Sequence, residues 1–159
     1  MNLKALVSAQ CACVDVAARS KKHVIELAAH KLAPRFNDVK PNLLFDALFA
    51  RERLGCTALG RGIALPHAAI ESVNQPAACV MKLDDPIRYD DDETLVSVVF
   101  ALIVPSTTQG ADNDILQYAC DFLSRGDRRR ALLAAQTDQA LLDALDEPLA
   151  SLDLRKAAG

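Results

Sequence analysis

The residues most able to do chemistry in this chain lie between Arg51 and His67. There an amphipathic stretch ending in Arg51-Glu52-Arg53 runs into Gly55-Cys56-Thr57, then Gly60-Arg61-Gly62, then a short apolar run that ends in Pro66-His67. A neutral imidazole is a good nucleophile near pH 7, and it leaves phosphorus readily, so His67 is the candidate acceptor of a phosphoryl group. Phosphoryl transfer passes through a loose transition state that needs alignment and donors to the phosphoryl oxygens more than covalent help. Arg51 and Arg61 are the candidate guanidinium partners, and Thr57 offers a hydroxyl. Gly60 and Gly62 allow backbone N–H groups to approach an anion closely. Pro66 restricts the backbone just before the histidine. Taken one at a time, each residue also has a plain structural reading: an exposed histidine, two turn glycines, an arginine opposing a helix dipole, a threonine starting a strand.

These residues need a scaffold, and the hydrophobic pattern supplies one. Residues 11–17 read as a strand. Ser20 offers an N-cap for a helix through Leu32, with Pro34 ending it. Asn37 or Asp38 can cap a second helix carrying Leu44, Phe45, Leu48 and Phe49, with Pro41 in its first turn and Gly55 at its end. Short strands are expected at 57–59 and 63–65. Residues 77–83 and 95–104 read as longer strands, the second apolar on both faces, with the acidic stretch 84–93 as the loop between them. A helical period starts at Ile115 and stops at Gly126, and shorter helices follow at 131–135 and 140–145, the last started by Thr137 and Asp138. Strands between helices, with one strand covered on both sides, predict a three-layer α/β/α sandwich around a mixed sheet. One domain over residues 1–154 and a frayed tail at 155–159 are expected.

Composition narrows the function. The chain has 159 residues, 51% of them hydrophobic, enough for a single core. Its net charge of −3 and 4% aromatics argue against nucleic acid, which selects for basic stripes and stacking platforms. No apolar run reaches the roughly 20 residues of a membrane span, and no signal peptide is evident, so a cytoplasmic location without membrane insertion is expected. The five cysteines, Cys11, Cys13, Cys56, Cys79 and Cys120, read as free thiols of a reducing compartment. Neither they nor the three histidines have zinc-ligand spacing, so no metal and no other cofactor is expected.

The string Arg51-Glu52-x-Leu54-Gly55-x-Thr57-x-x-Gly60-x-Gly62-Ile63-Ala64-x-Pro66-His67 resembles the signature of the fructose/mannitol-type EIIA family of the phosphotransferase system, including its nitrogen-regulatory members. The resemblance extends to Ser20-Lys21-Lys22, Asp85-Pro86-Ile87 and Phe100 to Pro105. It implies the phosphoacceptor role for His67, a role for Arg51 in steadying the phosphohistidine, and an active-site place for Thr57. It also implies the α/β/α fold, an HPr-like phosphodonor protein, and either an EIIB or a regulatory target as the next partner. The expected activity is that of a phosphocarrier rather than of a conventional enzyme. Where relatives carry a second active-site histidine, counting from Pro105 gives Asp112 here, which also reads as part of a helix cap with Asn113 and Asp114. Cys56 stands where serine is usual, and Ala68-Ala69 where a glycine and a basic residue are common. Two alternatives follow from these departures: a binding module that has lost efficient phosphotransfer, and a sugar-specific EIIA passing phosphate to EIIB. A hydrolase using Cys56 or His67 ranks last, since no nucleophile elbow or triad is present.

Overall fold

A computed structural model describes residues 2–90, 94–106 and 111–147, the side chains of residues 111–113 lying outside that description. The chain opens with a 3-10 turn and strand β1 (Val7–Val16), then helix α1 (Lys21–Leu32), whose N-cap Ser20 accepts from the His23 amide. After a 3-10 turn at Ala33–Arg35 comes α2 (Pro41–Leu54). Neither Asn37 nor Asp38 caps α2. Its N-cap is Lys40, without a side-chain bond, and Pro41 starts the helix because its missing N–H is not needed there, while Asp38 sits in a left-handed turn at φ 57°.

Strands β2 (Ala58–Gly60), β3 (Gly62–Ala64), β4 (His67–Ile70), β5 (Ala77–Arg88) and β6 (Leu95–Pro105) follow, then α3 (Ala111–Ser124), α4 (Gly126–Ala134) and α5 (Asp138–Asp143). The sheet is mixed and six-stranded, in the order β1-β5-β6-β3-β2, with β4 also pairing β6. β1 and β5 run parallel, β5 and β6 antiparallel, and β3 and β4 both lie parallel to β6. β6 is the central strand that the two-sided apolar pattern predicts, with every residue from Val98 to Pro105 buried. Alternation of side chains divides the helices between two faces. Cys11 on β1 reaches the Lys31 carbonyl of α1, whereas Lys82 on β5 reaches the Ala135 carbonyl just beyond α4. The expected α/β/α layering is therefore present, with a core that includes Ile25, Leu44, Met81, Phe100, Leu102 and Phe122.

Several elements differ from the sequence reading: β1 starts at Val7 rather than at residue 11, and β4, which begins with His67, is a strand that reading does not contain. β5 continues to Arg88 rather than ending at Leu83. Lys82 faces Val98 and Ile87 faces Val96, so five steps along β5 match two along β6, and the exposed Asp84-Asp85-Pro86 segment bulges out between buried anchors at Leu83 and Ile87. Gly126 opens α4 instead of ending a helix, drawing Arg128, Arg129 and Arg130 into its first turns. α3 begins at Ala111, which places Asp112, Asn113 and Asp114 inside its first turn rather than at the cap. α5 starts as expected, the Thr137 hydroxyl accepting from the Ala140 amide at 3.0 Å. The tail at 155–159 lies outside the described residues.

Candidate functional site

His67 stands at a break in a strand. β3 pairs with β6 from Val96 to Val99, and β4 pairs with the same edge of β6 from Leu102 to Pro105, so the two are successive pieces of one strand interrupted at Leu65-Pro66. Proline has no N–H for the ladder, which makes the interruption a local consequence of sequence. The Pro66 carbonyl still accepts from the Leu102 amide at 2.9 Å, tying the break to β6. The following residue, His67, is the first of β4 and half-buried.

Its ring is oriented by the backbone. Nδ1 lies 2.9 Å from the Leu65 carbonyl oxygen, which can only accept, so Nδ1 carries the proton and Nε2 keeps the lone pair. Burial pushes the His67 pKa below its ordinary 6.5; the Leu65 carbonyl and Glu52 oppose that shift, and the Arg51 guanidinium adds to it. At neutral pH the ring is therefore an uncharged nucleophile. An NMR titration of His67 is expected to show a midpoint below 6.5, so the neutral ring predominates at pH 7 and above. Because the unfolded chain binds this proton more readily, stability contributed here is present at neutral pH and is lost on acidification through the window below 6.5. A midpoint above 6.5 contradicts this account.

Arg51, in the last turn of α2, lines two cavities with His67. The larger, about 610 Å³, is walled mainly by apolar groups, among them Ala47, Leu54, Ala68, Leu102 and Leu116. Leu54 at its rim is 83% exposed, so the ring and guanidinium sit in an apolar surface suited to another protein. The smaller, about 250 Å³, adds Cys56, Thr57, Leu65 and Cys120. Arg51 donates from Nη1 to the Gly55 carbonyl at 3.1 Å, which leaves its other N–H groups for an anion.

Thr57 borders the smaller cavity, but its hydroxyl is already engaged. It hydrogen-bonds the buried Glu52 carboxylate and lies 3.2 Å from the Tyr89 hydroxyl, while the Thr57 amide donates to Glu52 at 3.0 Å. Lys21 completes this network, 3.6 Å from Glu52 and over the Tyr89 ring. Burial, reinforced by Glu52, pushes the Tyr89 hydroxyl above its ordinary pKa, so it stays a neutral partner. The sequence reading gave Glu52, Tyr89 and Lys21 no supporting role: Glu52 and Lys21 stand in the strings that carry the resemblance, whereas Tyr89 carries no signal in the sequence.

The structure does not bring Gly60, Arg61 and Gly62 to the histidine. Gly62 pairs with Val96 and His67 with Leu102, six residues apart on β6, or roughly 20 Å along the strand. The turn needs its glycines for another reason. Gly60, Arg61 and Gly62 have φ of 87°, 54° and 94°, a left-handed run that reverses the chain between β2 and β3. A phosphate cradle at this turn is thus replaced by a hairpin turn. Asp112 lies in the first turn of α3, the helix whose Leu116 lines both cavities; its side chain lies outside the described residues. Among the described residues no group of three or more His, Cys, Asp or Glu is gathered to hold a metal, and no helix is long and apolar enough to cross a membrane.

A mixed sheet between two helical layers presents a neutral histidine and a guanidinium at the same two apolar-walled cavities, the layout of a small α/β domain with a nucleophilic histidine at its surface. The profile of "Phosphoenolpyruvate-dependent sugar phosphotransferase system, EIIA 2" matches residues 5–147, and the chain belongs to this family. It is 35% identical over 129 residues to a nitrogen regulatory protein of Pseudomonas aeruginosa, covering 80% of this chain and 84% of that protein. It is 32% identical over 143 residues to the nitrogen regulatory protein of Escherichia coli, covering 89% and 87%. The crystal structure of nitrogen regulatory protein IIA-Ntr from Neisseria meningitidis superposes with a TM-score of 0.82 at 26% identity, covering 89% of this chain and 97% of that one. IIA mannitol of Escherichia coli shares the fold, with a TM-score of 0.68 at 18% identity over 84% of this chain and 95% of that one.

Proposed function

We propose that the chain is a regulatory phosphocarrier whose His67 accepts a phosphoryl group from a phosphohistidine of an HPr-type donor protein in the cytoplasm. The observation that carries this reading is the Nδ1–H bond to the Leu65 carbonyl, which leaves Nε2 as the free lone pair of a residue lining both cavities. In the transfer, the Nε2 lone pair forms a new P–N bond as the donor's P–N bond breaks and its electron pair returns to the donor imidazole. The acceptor ring gains positive character, which the Leu65 carbonyl stabilises through Nδ1–H. Arg51 supplies N–H donors to the phosphoryl oxygens, a charge-assisted contact that strengthens as charge builds on them. The apolar wall around the ring excludes water and so protects the phosphohistidine from hydrolysis.

Output through phosphorylation-dependent binding of a regulatory target fits the nitrogen regulatory relatives; transfer onward to an EIIB is the alternative that fits the sugar phosphotransferase family as a whole. The test is incubation with phosphoenolpyruvate, enzyme I and HPr. The expected product is a stoichiometric, acid-labile phosphate on Nε2 of His67, read by phosphorus and nitrogen NMR. A protein that stays unphosphorylated is a binding module instead, and phosphate on Nδ1 contradicts the tautomer argument.

Asp112 tunes this site in the proposal. An ionised carboxylate about 4 Å from a phosphoryl group repels each unit of its negative charge by about 1–4 kcal/mol, depending on screening. Asp112→His is expected to lengthen the half-life of the phosphoform by about tenfold, a change worth about 1.4 kcal/mol. An unchanged half-life and phosphorylation rate would reject a role for this position.

A further inference from the structure

Hydrogen bonds around Thr57 connect both Arg51 and His67 to one buried carboxylate. Glu52 follows Arg51 in the last turn of α2 and pins the loop after that helix at two points. Its backbone carbonyl accepts from the Gly55 amide at 3.2 Å, and its carboxylate accepts from the Thr57 amide at 3.0 Å. The Gly55 carbonyl, between these points, is the anchor of the Arg51 guanidinium. From Thr57 the connection continues to the histidine. The Thr57 carbonyl accepts from the Leu65 amide at 2.9 Å, and the Leu65 carbonyl is the group that holds the proton on Nδ1 of His67. Thr57 is thus the junction between the guanidinium anchor and the imidazole tautomer.

Tyr89 closes this network from the sheet. It lies just beyond the end of β5, is 1% exposed, and lines neither of the cavities at His67. The direction of its hydrogen bond follows from its neighbours. The Thr57 hydroxyl donates its proton to the Glu52 carboxylate, so the Thr57 oxygen accepts from the Tyr89 hydroxyl at 3.2 Å. Burial pushes the Tyr89 pKa up, so the phenol keeps the proton that it donates. The Lys21 ammonium on α1 lies 5.2 Å from the centre of the Tyr89 ring and 3.6 Å from Glu52, one cation shared between ring and carboxylate.

We propose that Tyr89 and Thr57 are positioning residues for phosphoryl transfer, acting through hydrogen bonds on Arg51 and the His67 ring rather than on the phosphoryl group. The inference rests on the phosphocarrier reading of His67. Each group in the chain holds the next: the phenol orients the Thr57 hydroxyl, and the Thr57 hydroxyl and amide together grip the carboxylate. The backbone of residues 55–57 then passes this order to Arg51 on one side and, through Leu65, to His67 on the other. Phosphoryl transfer depends on alignment, and a small displacement of the attacking nitrogen or of the donors costs rate without changing how a partner protein docks. Loss of a residue that lines neither cavity therefore falls on kcat and not on KM.

Tyr89→Phe keeps the ring in the core and removes only the donor. With phosphorylated HPr as substrate, kcat is expected to fall about fivefold at unchanged KM, the scale of one hydrogen bond. In the unphosphorylated protein the ring-nitrogen NMR signals of His67 are expected to move toward a mixture of tautomers, a change that a purely structural role does not make. Thr57→Val removes the hydroxyl and keeps the shape. It is expected to lose at least as much, and adding Tyr89→Phe to it is expected to cost nothing further, because the phenol acts only through that hydroxyl. A rise in KM without a fall in kcat, or losses that multiply in the double variant, overturn the proposal. Unchanged kcat and unchanged ring signals in Tyr89→Phe overturn it as well. A wild type that takes up no phosphate defeats the phosphocarrier reading instead, and the ring signals still decide whether Tyr89 positions His67.

Discussion

His67→Ala is expected to abolish phosphoryl incorporation, by about three orders of magnitude or more against wild type in the phosphoenolpyruvate-driven assay. The magnitude follows from the absence of a substitute. Phosphoryl transfer gains little from general acid–base help, so catalysis rests on a correctly placed lone pair and on donors to the phosphoryl oxygens. The substitution removes the lone pair and leaves Arg51 in place, with its Gly55 anchor intact. The other two histidines, His23 and His30, lie on α1 and line neither cavity beside Arg51. Cys56 shares the smaller cavity, but its raised pKa keeps it a poor nucleophile at neutral pH. The fold survives, because a half-buried ring at a cavity wall carries little of the core and the freed Leu65 carbonyl can be hydrated. A thermal midpoint within a few degrees of wild type is expected alongside the lost activity. Residual incorporation above about 1% of wild type contradicts the assignment of the acceptor.

Glu52→Ala is expected to destabilise the protein by about 3 kcal/mol. Glu52 is 4% exposed and accepts from both the amide and the hydroxyl of Thr57, with Lys21 at 3.6 Å. Removing it leaves a buried N–H unpaired, a cation without its counter-charge and a cavity, so the loss exceeds that of a surface ion pair. For a domain of this size the thermal midpoint falls by roughly 6–12 °C. The same carboxylate holds the chain just after Gly55, whose carbonyl anchors Arg51, so the phosphorylation rate falls too. Arg51 therefore depends on Glu52 although the two side chains point to different partners. A midpoint shift under 2 °C shows that Lys21, Thr57 and Tyr89 satisfy one another without the carboxylate.

Legibility varied with the range of the physical cause. Ser20 and Thr137 cap helices through amides three residues ahead, and both were visible as local chemistry. The break before His67 was equally local, since Pro66 lacks an N–H whatever surrounds it. β6 announced itself by apolar residues on both faces, and the central place of that strand implied the layered fold. The pairing of His67 with Arg51 was readable from the string joining them, and the structure places both at the same two cavities.

What the sequence by itself determined was therefore most of the elements, the sandwich they build and the histidine that follows Pro66, though not the strand β4 that this histidine opens. The tertiary structure alone decided which neighbours reach that histidine. Gly60, Arg61 and Gly62 are close to His67 in sequence, but parallel register against β6 sets them roughly 20 Å apart along the strand. Thr57 meets Tyr89 across 32 positions, and Lys31 meets Cys13 across 18, because β5 bulges and α1 folds back over β1. Caps, turns and proline breaks act over a few residues and leave a mark in the local sequence. Register and cross-element contact depend on how distant surfaces fit, and no short stretch of residues encodes that fit.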